Sequence, residues 1–196
     1  MAITSIKTGS SFTNLTKYND FLAGNAAFQP AAYESIATVT VGSGGASSVS
    51  FNSIPSGYQH LQIRGIQRTT GGVWDLRLQA NSDTGNNYAT HRLGGFGSGT
   101  FADGIASTSS IKLGLVGTVT SIFGGTVVDI LDYKNTNKFK TVRSLNGYDE
   151  NGGGYVLLTS GLWQNTNAIT SLTLSLSSSG NFLEYSKFGL FGIKGA

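Results

Sequence analysis

The stretch from Gly125 to Leu176 constrains the fold of this chain more than any other part of the sequence. It contains four runs rich in Val, Ile, Leu, Tyr and Thr, separated by short clusters of Asn, Gly and Asp. Such clusters form tight turns, so the stretch predicts four consecutive strands joined by hairpins. In the last run Leu172, Leu174 and Leu176 alternate with Thr and Ser, which places the three leucines on one face. We therefore predict an antiparallel sheet with one buried and one solvated face.

Alternating runs also precede this stretch. Residues 37–41 and 49–51 predict a hairpin around a Gly/Ser turn, and further strands follow near Leu61 and Trp74. Residues 81–110 are rich in Gly, Ser, Asn and Asp, so we expect a long loop with one strand near Tyr88. The polar faces of the strands near Leu61 and Trp74 predict a cross-strand charge ladder of Arg64, Arg68, Asp75 and Arg77.

Length and composition restrict the fold class. The chain has 196 residues, 28 of them Gly and only 2 Pro, and 12% of its residues are charged, a profile of many turns. About ten predicted strands and no strong helix indicate an all-β antiparallel sandwich, most similar to a jelly roll. We predict one such domain over residues 35–196, preceded by an extended N-terminal arm over residues 1–34.

The arm lacks an alternating run but is apolar. A free segment of this kind would expose a sticky surface, so we expect it to serve in assembly by packing on its own domain or on another chain. The apolar residues assigned to that role are Phe12, Leu15, Tyr18, Phe21, Leu22 and Phe28.

The composition also excludes several classes of protein. Cysteine is absent, so neither disulfides nor thiolate metal sites stabilise the fold. No apolar run is long enough for a membrane helix, so we expect no membrane insertion. The N-terminus lacks the pattern of a signal peptide, which predicts synthesis and folding in a cytoplasm.

One cluster of positive charge lies around the predicted hairpin turn at residues 134–137, and it consists of Lys134, Lys138, Lys140 and Arg143. Nucleic-acid binders interleave such clusters with exposed aromatic residues, whereas only Tyr133 and Phe139 are close to this one. We interpret the cluster as a solvated hairpin tip and expect no nucleic-acid partner.

The sequence contains no catalytic or metal signature. His60 and His91 are isolated, so we expect hydrogen-bonding structural roles for both. A glycosidase would need two facing carboxylates, for which Asp129 or Asp132 meeting Asp149 is the one candidate arrangement. Aspartates beside turns more often accept bonds from backbone amides. We therefore predict a non-enzymatic protein without cofactor or metal.

Two short motifs have weak resemblance to ligand loops. Residues 81–86 are oxygen-rich, as calcium loops are, but they lack the spaced second Asp and the distant Glu, so we interpret them as a turn. The glycines of residues 94–99 lack the Lys-Ser/Thr pair of a phosphate loop. For glycan or partner contact the best candidates are Tyr88 and Tyr148, which lie in Asn/Gly-rich turns, together with His91 and Arg92, whereas Trp74 shares a face with leucines and is expected in the core.

Several short segments of the sequence, taken together, are similar to segments of one family. They are Ser53-Ile54-Pro55 with residues 58–66, Asn87-Tyr88 with His91-Arg92-Leu93, residues 129–133 with 135–138, residues 160–163 and 168–172, and residues 185–188 with 192–195. This ensemble resembles small virion structural proteins of tailed bacteriophages, especially marine and cyanobacterial phages, that are often described as tail-fibre-like. The resemblance spans about residues 35–196.

The resemblance implies a homotrimer attached to other phage virion proteins through its N-terminal segment. The implied function is a surface-displayed structural protein of the virion, acting in tail-fibre or appendage assembly and in attachment to host cell-surface glycans. The sequence has no long fibre shaft, so a capsid decoration (cement) protein that stabilises the phage head is the alternative. A capsular polysaccharide depolymerase is the third hypothesis.

Overall fold

The computed structural model describes residues 32–195, and these form a sandwich of two antiparallel sheets. The predicted all-β class is therefore confirmed. The twelve strands are β1 Tyr33–Thr40, β2 Ser48–Phe51, β3 His60–Gln67, β4 Trp74–Ala80, β5 Tyr88–Phe96, β6 Gly99–Thr108, β7 Ile111–Val116, β8 Gly124–Leu131, β9 Lys140–Asp149, β10 Gly154–Trp163, β11 Leu172–Leu176 and β12 Lys187–Ile193.

The strands divide unequally between the sheets. The large sheet has eight strands in the order β1-β12-β3-β8-β9-β10-β5-β6, and the small sheet has four in the order β2-β11-β4-β7. The predicted hairpins β8–β9 and β9–β10 are present. The predicted hairpin between β10 and β11 is wrong, because β11 pairs with β2 and β4 in the small sheet. The predicted hairpin between β1 and β2 is also wrong, since the Gly/Ser turn carries the chain from one sheet to the other.

The core lies between the two sheets. Leu172 and Leu174 are fully buried and Leu176 is 6% exposed, as the alternation predicts. The same period places the small sheet's hydroxyl side chains, Ser48, Ser50, Thr173 and Ser175, on its solvated face. Trp74 is partly buried and packs against the core.

The start of the domain differs slightly from the prediction. Most of the predicted arm and its six apolar residues lie outside the described residues. Tyr33 and Glu34, however, belong to β1 and pair with β12. The Tyr33 ring stacks on Phe191 with ring centroids 4.9 Å apart, and Tyr58 donates a 2.8 Å hydrogen bond to Glu34. These contacts anchor both residues in the sheet.

Residues 88–108 form a strand hairpin, β5–β6, and the expectation of a long loop there is wrong. Its glycines resemble loop residues in the sequence, but Gly94 lies in β5 directly under the Phe101 ring of β6. A side chain at that position would overlap the ring. The turn of this hairpin is short, and Gly97 adopts a left-handed conformation there with φ of 51°.

Strand β7 is an edge of the small sheet, yet polar side chains from the large sheet satisfy its backbone groups. The register with β4 shifts between Leu76 and Arg77, so β7 bulges. The Leu113 carbonyl accepts hydrogen bonds from Ser144 and Thr159, and Leu115 N–H donates to Asn146 Oδ1 at 2.8 Å. These bonds protect an edge that would otherwise carry unpaired backbone groups.

Two predicted charge arrangements are wrong. Strands β3 and β4 lie in different sheets, so Arg64 and Arg68 cannot form a ladder with Asp75 and Arg77. Asp75 instead accepts from Arg92 at 2.7 Å and from Lys112 at 3.0 Å. Lys140 is fully buried rather than part of a solvated hairpin tip, because three backbone carbonyls surround its ammonium group.

The burial of Leu174 leads to a first prediction. Leu174→Ala should lower the free energy of unfolding by about 2 to 5 kcal/mol, because it leaves a cavity between the sheets. Ser175→Ala, one residue along the same strand but on the solvated face, should change it by less than about 0.5 kcal/mol. Urea denaturation followed by circular dichroism measures both values. Equal losses in the two variants would contradict the orientation of β11.

Candidate functional site on the outer sheet face

The solvent side of the large sheet, called the outer face below, is the most unusual surface of the domain. Its residues line up in cross-strand rows through the middle of the sheet, because the two register shifts of the large sheet lie nearer its ends, between Ser35 and Ala37 of β1 and between Tyr88 and Thr90 of β5. The central row runs Thr38, Gly189, Arg64, Val127, Leu145, Leu158, Leu93 and Ala102. In an ordinary solvated face such positions are polar.

Four large aliphatic side chains of this face cluster around Leu158, and we call them the outer patch. They are Leu93, Leu145, Val156 and Leu158, and each is 55–58% exposed. Leu158 lies opposite both Leu145 and Leu93 in the register. The patch therefore contrasts with the hydroxyl-covered face of the small sheet. A contiguous apolar surface of this kind is typical of an interaction site.

A polar row borders the outer patch on one side. It contains Asp129, Arg143, Ser160 and His91 on four adjacent strands. Asp129 accepts a 2.8 Å hydrogen bond from Gln62, and within residues 32–195 the Arg143 guanidinium has no hydrogen-bond or ion-pair partner. A shallow depression of about 600 Å³ lies between this row and the outer patch. It offers an apolar floor beside one free positive charge.

The bordering row on the opposite side is built largely of glycine. Gly125 of β8 pairs with Gly147 of β9, and Ile66 and Val156 flank them in the same row. A side-chain carbon added at Gly125 would meet no atom within 4 Å. The backbone is therefore accessible here, so the apolar surface continues across the sheet without a polar barrier.

Tyr88 and Tyr148, predicted as surface contact residues, are buried. Tyr88 is fully buried and Tyr148 is 7% exposed, because both face the core side of the large sheet. The Tyr88 hydroxyl donates to the backbone of Asp83 at 3.0 Å, and its ring stacks near Trp163 at 6.4 Å. The expectation of an exposed aromatic platform at these two positions is therefore wrong. Both side chains instead pack inside the domain.

Arg92 and His91 are neighbours in β5 but point to opposite faces. Arg92 is largely buried and bonds both Asp103 and Asp75, which link β6 and the small sheet. The Asp103 carboxylate raises the pKa of Arg92 above its ordinary value. Arg92 is thus a structural residue, and a contact role is not available to its guanidinium. His91 is exposed on the outer face, with its ring over Gly104.

The remaining polar candidates form local structural bonds. His60 Nδ1 accepts from the Asp132 backbone at 2.9 Å, which confirms its predicted hydrogen-bonding role. Asp132 pairs with Lys138, and this ion pair lowers the pKa of the carboxyl group. Asp129 lies opposite Arg143 of β9. Asp149 is six residues further along the same strand, so it lies about 20 Å from Asp129. The two carboxylates therefore do not face each other.

The oxygen-rich segment of residues 81–86 is a turn, as predicted. Asp83 Oδ1 accepts the Gly85 N–H at 2.9 Å, and Asp83 Oδ2 accepts the indole N–H of buried Trp163 at 2.8 Å. The Trp163 bond is the main cause of the lowered pKa of Asp83. Asn81 Oδ1 accepts from the backbone N–H groups of Thr170 and Ser171, which joins the turn to the segment immediately before β11. No group of three metal-ligating side chains occurs among residues 32–195.

Comparison with known proteins yields no relative. No family model, no curated protein and no solved structure matches the chain. Within the described range there is no helix that is both long and apolar enough to cross a bilayer.

The outer patch was not predicted from the sequence, although one signal for it exists. Residues 155–158 read Tyr-Val-Leu-Leu, so β10 is apolar on both faces, whereas β11 alternates cleanly. A strand that is apolar on both faces needs cover on both faces. Only the fold shows that, among residues 32–195, no element covers the second face at Leu158 and its neighbours.

The burial of Tyr88 leads to a prediction about alkaline pH. Burial raises the pKa of Tyr88 from 10.0 to about 12. The folded protein therefore retains this proton while the unfolded chain loses it, so folding stability falls as pH rises from 10 towards 12. Tyr88→Phe should show a shallower fall over this range, although it loses stability at neutral pH with its hydrogen bonds. Urea unfolding at intervals between pH 8 and 12 measures the difference; parallel curves for the two proteins would contradict it.

Proposed function

We propose that this chain is a non-enzymatic structural protein of a tailed-phage particle. It is displayed on the virion as a homotrimer and acts in tail-fibre or appendage assembly and host-surface attachment. The observation that carries the proposal is the outer face, where aliphatic side chains occupy the positions at which an independent domain would expose polar ones. Such a face suits a protein whose function is to bind another surface. The sequence resemblance to phage virion proteins supports the same reading.

The strand order gives a second line of support, through a jelly-roll interpretation of the sandwich. Without β5–β6 and β9–β10, the two sheets read β1-β12-β3-β8 and β2-β11-β4-β7. Two four-stranded sheets with the first and last strands adjacent form the double Greek-key pattern of jelly rolls, an architecture common in viral capsid and lectin domains. We propose that β5–β6 and β9–β10 are hairpins inserted into such a core. This support is an analogy of fold.

Labelling on intact particles tests the proposal. Antibody-gold against the chain should mark the tail or its appendages, and marking over the whole shell would favour capsid decoration instead. Absence of the protein from purified virions would refute a virion role. Release of reducing sugar from host polysaccharide by the purified protein would contradict its non-enzymatic character and favour a depolymerase.

The proposed attachment arm leads to a separate prediction. Deletion of residues 1–31 leaves β1 complete, so the truncated protein should keep the circular dichroism and thermal transition of a folded sandwich. It should nevertheless fail to incorporate into particles, because it lacks Phe12, Leu15, Tyr18, Phe21, Leu22 and Phe28. Quantitative immunoblotting of purified virions measures incorporation. Normal occupancy of the truncated protein would contradict an assembly role for the arm.

A further inference from the structure

The polar row that borders the outer patch extends further across the large sheet. From Asp129 it continues to Gln62 of β3 and Phe191 of β12, so it crosses six adjacent strands from β12 to β5. Five strand spacings of about 4.8 Å give it a length of about 24 Å. The row is therefore a line of hydrogen-bonding side chains with an aromatic ring at one end.

The aromatic end of the polar row is accessible to a ligand. Tyr33 stacks on Phe191 and is 40% exposed. Its hydroxyl donates to Gln62 Oε1 at 2.9 Å, and Gln62 Nε2 donates to Asp129 Oδ1 at 2.8 Å. Asp129 Oδ2 receives no hydrogen bond from any group in residues 32–195. The hydrogen bonds thus fix the aromatic ring beside an acceptor oxygen that remains for a ligand.

The opposite end of the polar row is cationic and borders the depression. Arg143, Ser160 and His91 lie opposite one another on three adjacent strands, and Leu93 and Leu158 line the depression beside them. A guanidinium binds a carboxylate through two parallel N–H groups. Within the described part of the chain no carboxylate occupies the Arg143 guanidinium. Arg143 is therefore available for a carboxylate from outside the domain.

We infer that the polar row binds a linear polysaccharide that contains carboxylated sugars. A sugar chain presents apolar C–H faces to Tyr33 and to the leucines, hydroxyl groups to Asp129, and a carboxylate to Arg143. These groups follow one another along a sugar chain, as their partners do along the row.

Other polymers fit the polar row less well. An extended peptide binds a sheet through main-chain hydrogen bonds to an exposed edge, whereas the row crosses strands whose main-chain groups are already paired. A nucleic acid requires several cations, and the row pairs one free guanidinium with one carboxylate.

Titration calorimetry of the full chain tests the inference. The probes are six-sugar oligosaccharides of glucuronate, of galacturonate and of alginate, each compared with its neutral, carboxyl-reduced form. At least one acidic probe should bind, and reduction of its carboxylates should weaken binding about 10-fold or more, because the charge-assisted bonds to Arg143 are lost. Binding of none of the three acidic probes, or equal affinity for the acidic and reduced forms, would overturn the inference.

Matched variants locate the site. Arg143→Gln should weaken binding of the acidic probe about 10-fold or more and leave the neutral form nearly unchanged, whereas a structural defect would weaken both. Lys187→Gln, which removes an exposed positive charge from another row of the same sheet, is the control and should change neither affinity. Equal effects of these two variants would overturn the inference.

Ser160→Asp provides a second, independent variant. It places a carboxylate directly opposite Arg143 and should also weaken the acidic probe selectively. Ser48→Asp, on the exposed face of the small sheet, is its control. An unchanged affinity in the Ser160→Asp protein would contradict the placement of the ligand carboxylate.

The inference rests on the proposed function only for the source of the polysaccharide, which is the host surface. Arg143-dependent binding by a protein that is absent from virions would refute the proposed function and leave the inference standing. A virion protein that binds none of the acidic probes would refute the inference alone.

Discussion

Asn146→Ala is expected to destabilise the domain by about 3 to 5 kcal/mol. Asn146 is 1% exposed and lies between the sheets. Its Oδ1 accepts the Leu115 N–H at 2.8 Å, and its Nδ2 donates to Thr126 Oγ1 at 2.6 Å. Each buried polar group left without a partner costs about 1 to 3 kcal/mol, and the lost volume adds to that cost.

The geometry at Gly114 makes this prediction more specific. A side-chain carbon at Gly114 would overlap the Asn146 side chain, and Gly114 also has a φ of 156°. Gly114→Ala should therefore destabilise the wild-type domain by displacing Asn146. In the Asn146→Ala background it should cost less, since two of the three overlapping atoms, Cγ and Oδ1, are then absent and only the retained Cβ of residue 146 still meets the added carbon, at 2.3 Å. We expect a coupling energy of about 1 to 3 kcal/mol in the double-mutant cycle.

Urea denaturation of the four proteins measures the cycle. Asn137→Ala, in an exposed turn, is the control for replacing an asparagine and should change stability by less than about 0.5 kcal/mol. Strict additivity of the Gly114 and Asn146 changes would contradict the direct contact between the two positions. A loss below about 1 kcal/mol for Asn146→Ala would contradict its role in satisfying the β7 edge.

Lys140→Met is expected to cost about 2 to 4 kcal/mol at neutral pH. The Lys140 ammonium donates to the carbonyls of Asn135, Lys138 and Thr166 at 2.6, 3.0 and 2.9 Å. These bonds join the turn before β9 to the segment after β10. Methionine fills a similar volume but has no donor, so the three carbonyls lose a buried partner. Lys187→Met, exposed on β12, is the control and should be nearly neutral.

The same residue gives the prediction a pH dependence. Burial lowers the pKa of Lys140 below the ordinary value of 10.5, and the neighbouring Lys138 charge acts in the same direction. The unfolded chain therefore holds this proton more tightly than the folded protein. The contribution of Lys140 to stability should rise as pH increases from its lowered native pKa towards 10.5. The difference in unfolding free energy between the wild type and Lys140→Met should thus widen between pH 7 and 10, and a constant difference would contradict it.

Some contacts of the candidate polar residues can be predicted from the local sequence, whereas others require the tertiary structure. The bonds of Asp83 to the backbone of its own turn could be predicted, because an aspartate two residues before a turn glycine accepts that amide in many sequences. The burial of Lys140 could not, since its carbonyl partners come from segments up to 26 residues away. The burial of Tyr88 and Tyr148 was likewise hidden, because Asn and Gly beside them indicate turns whereas both tyrosines belong to long strands.

The sequence by itself determined the class of the fold and much of its core. Period-two alternation at Leu172, Leu174 and Leu176 is a local property of one strand, and it correctly placed these side chains between two sheets. Beyond the β8–β9 and β9–β10 hairpins, only the tertiary structure decided which strands pair. Strands β10 and β11 are adjacent in the chain, yet β11 crosses to the small sheet, because a sandwich needs apolar faces from both sides of the core. The outer patch also exists only at that level, since Leu93, Leu145 and Leu158 become one surface through the register of three strands.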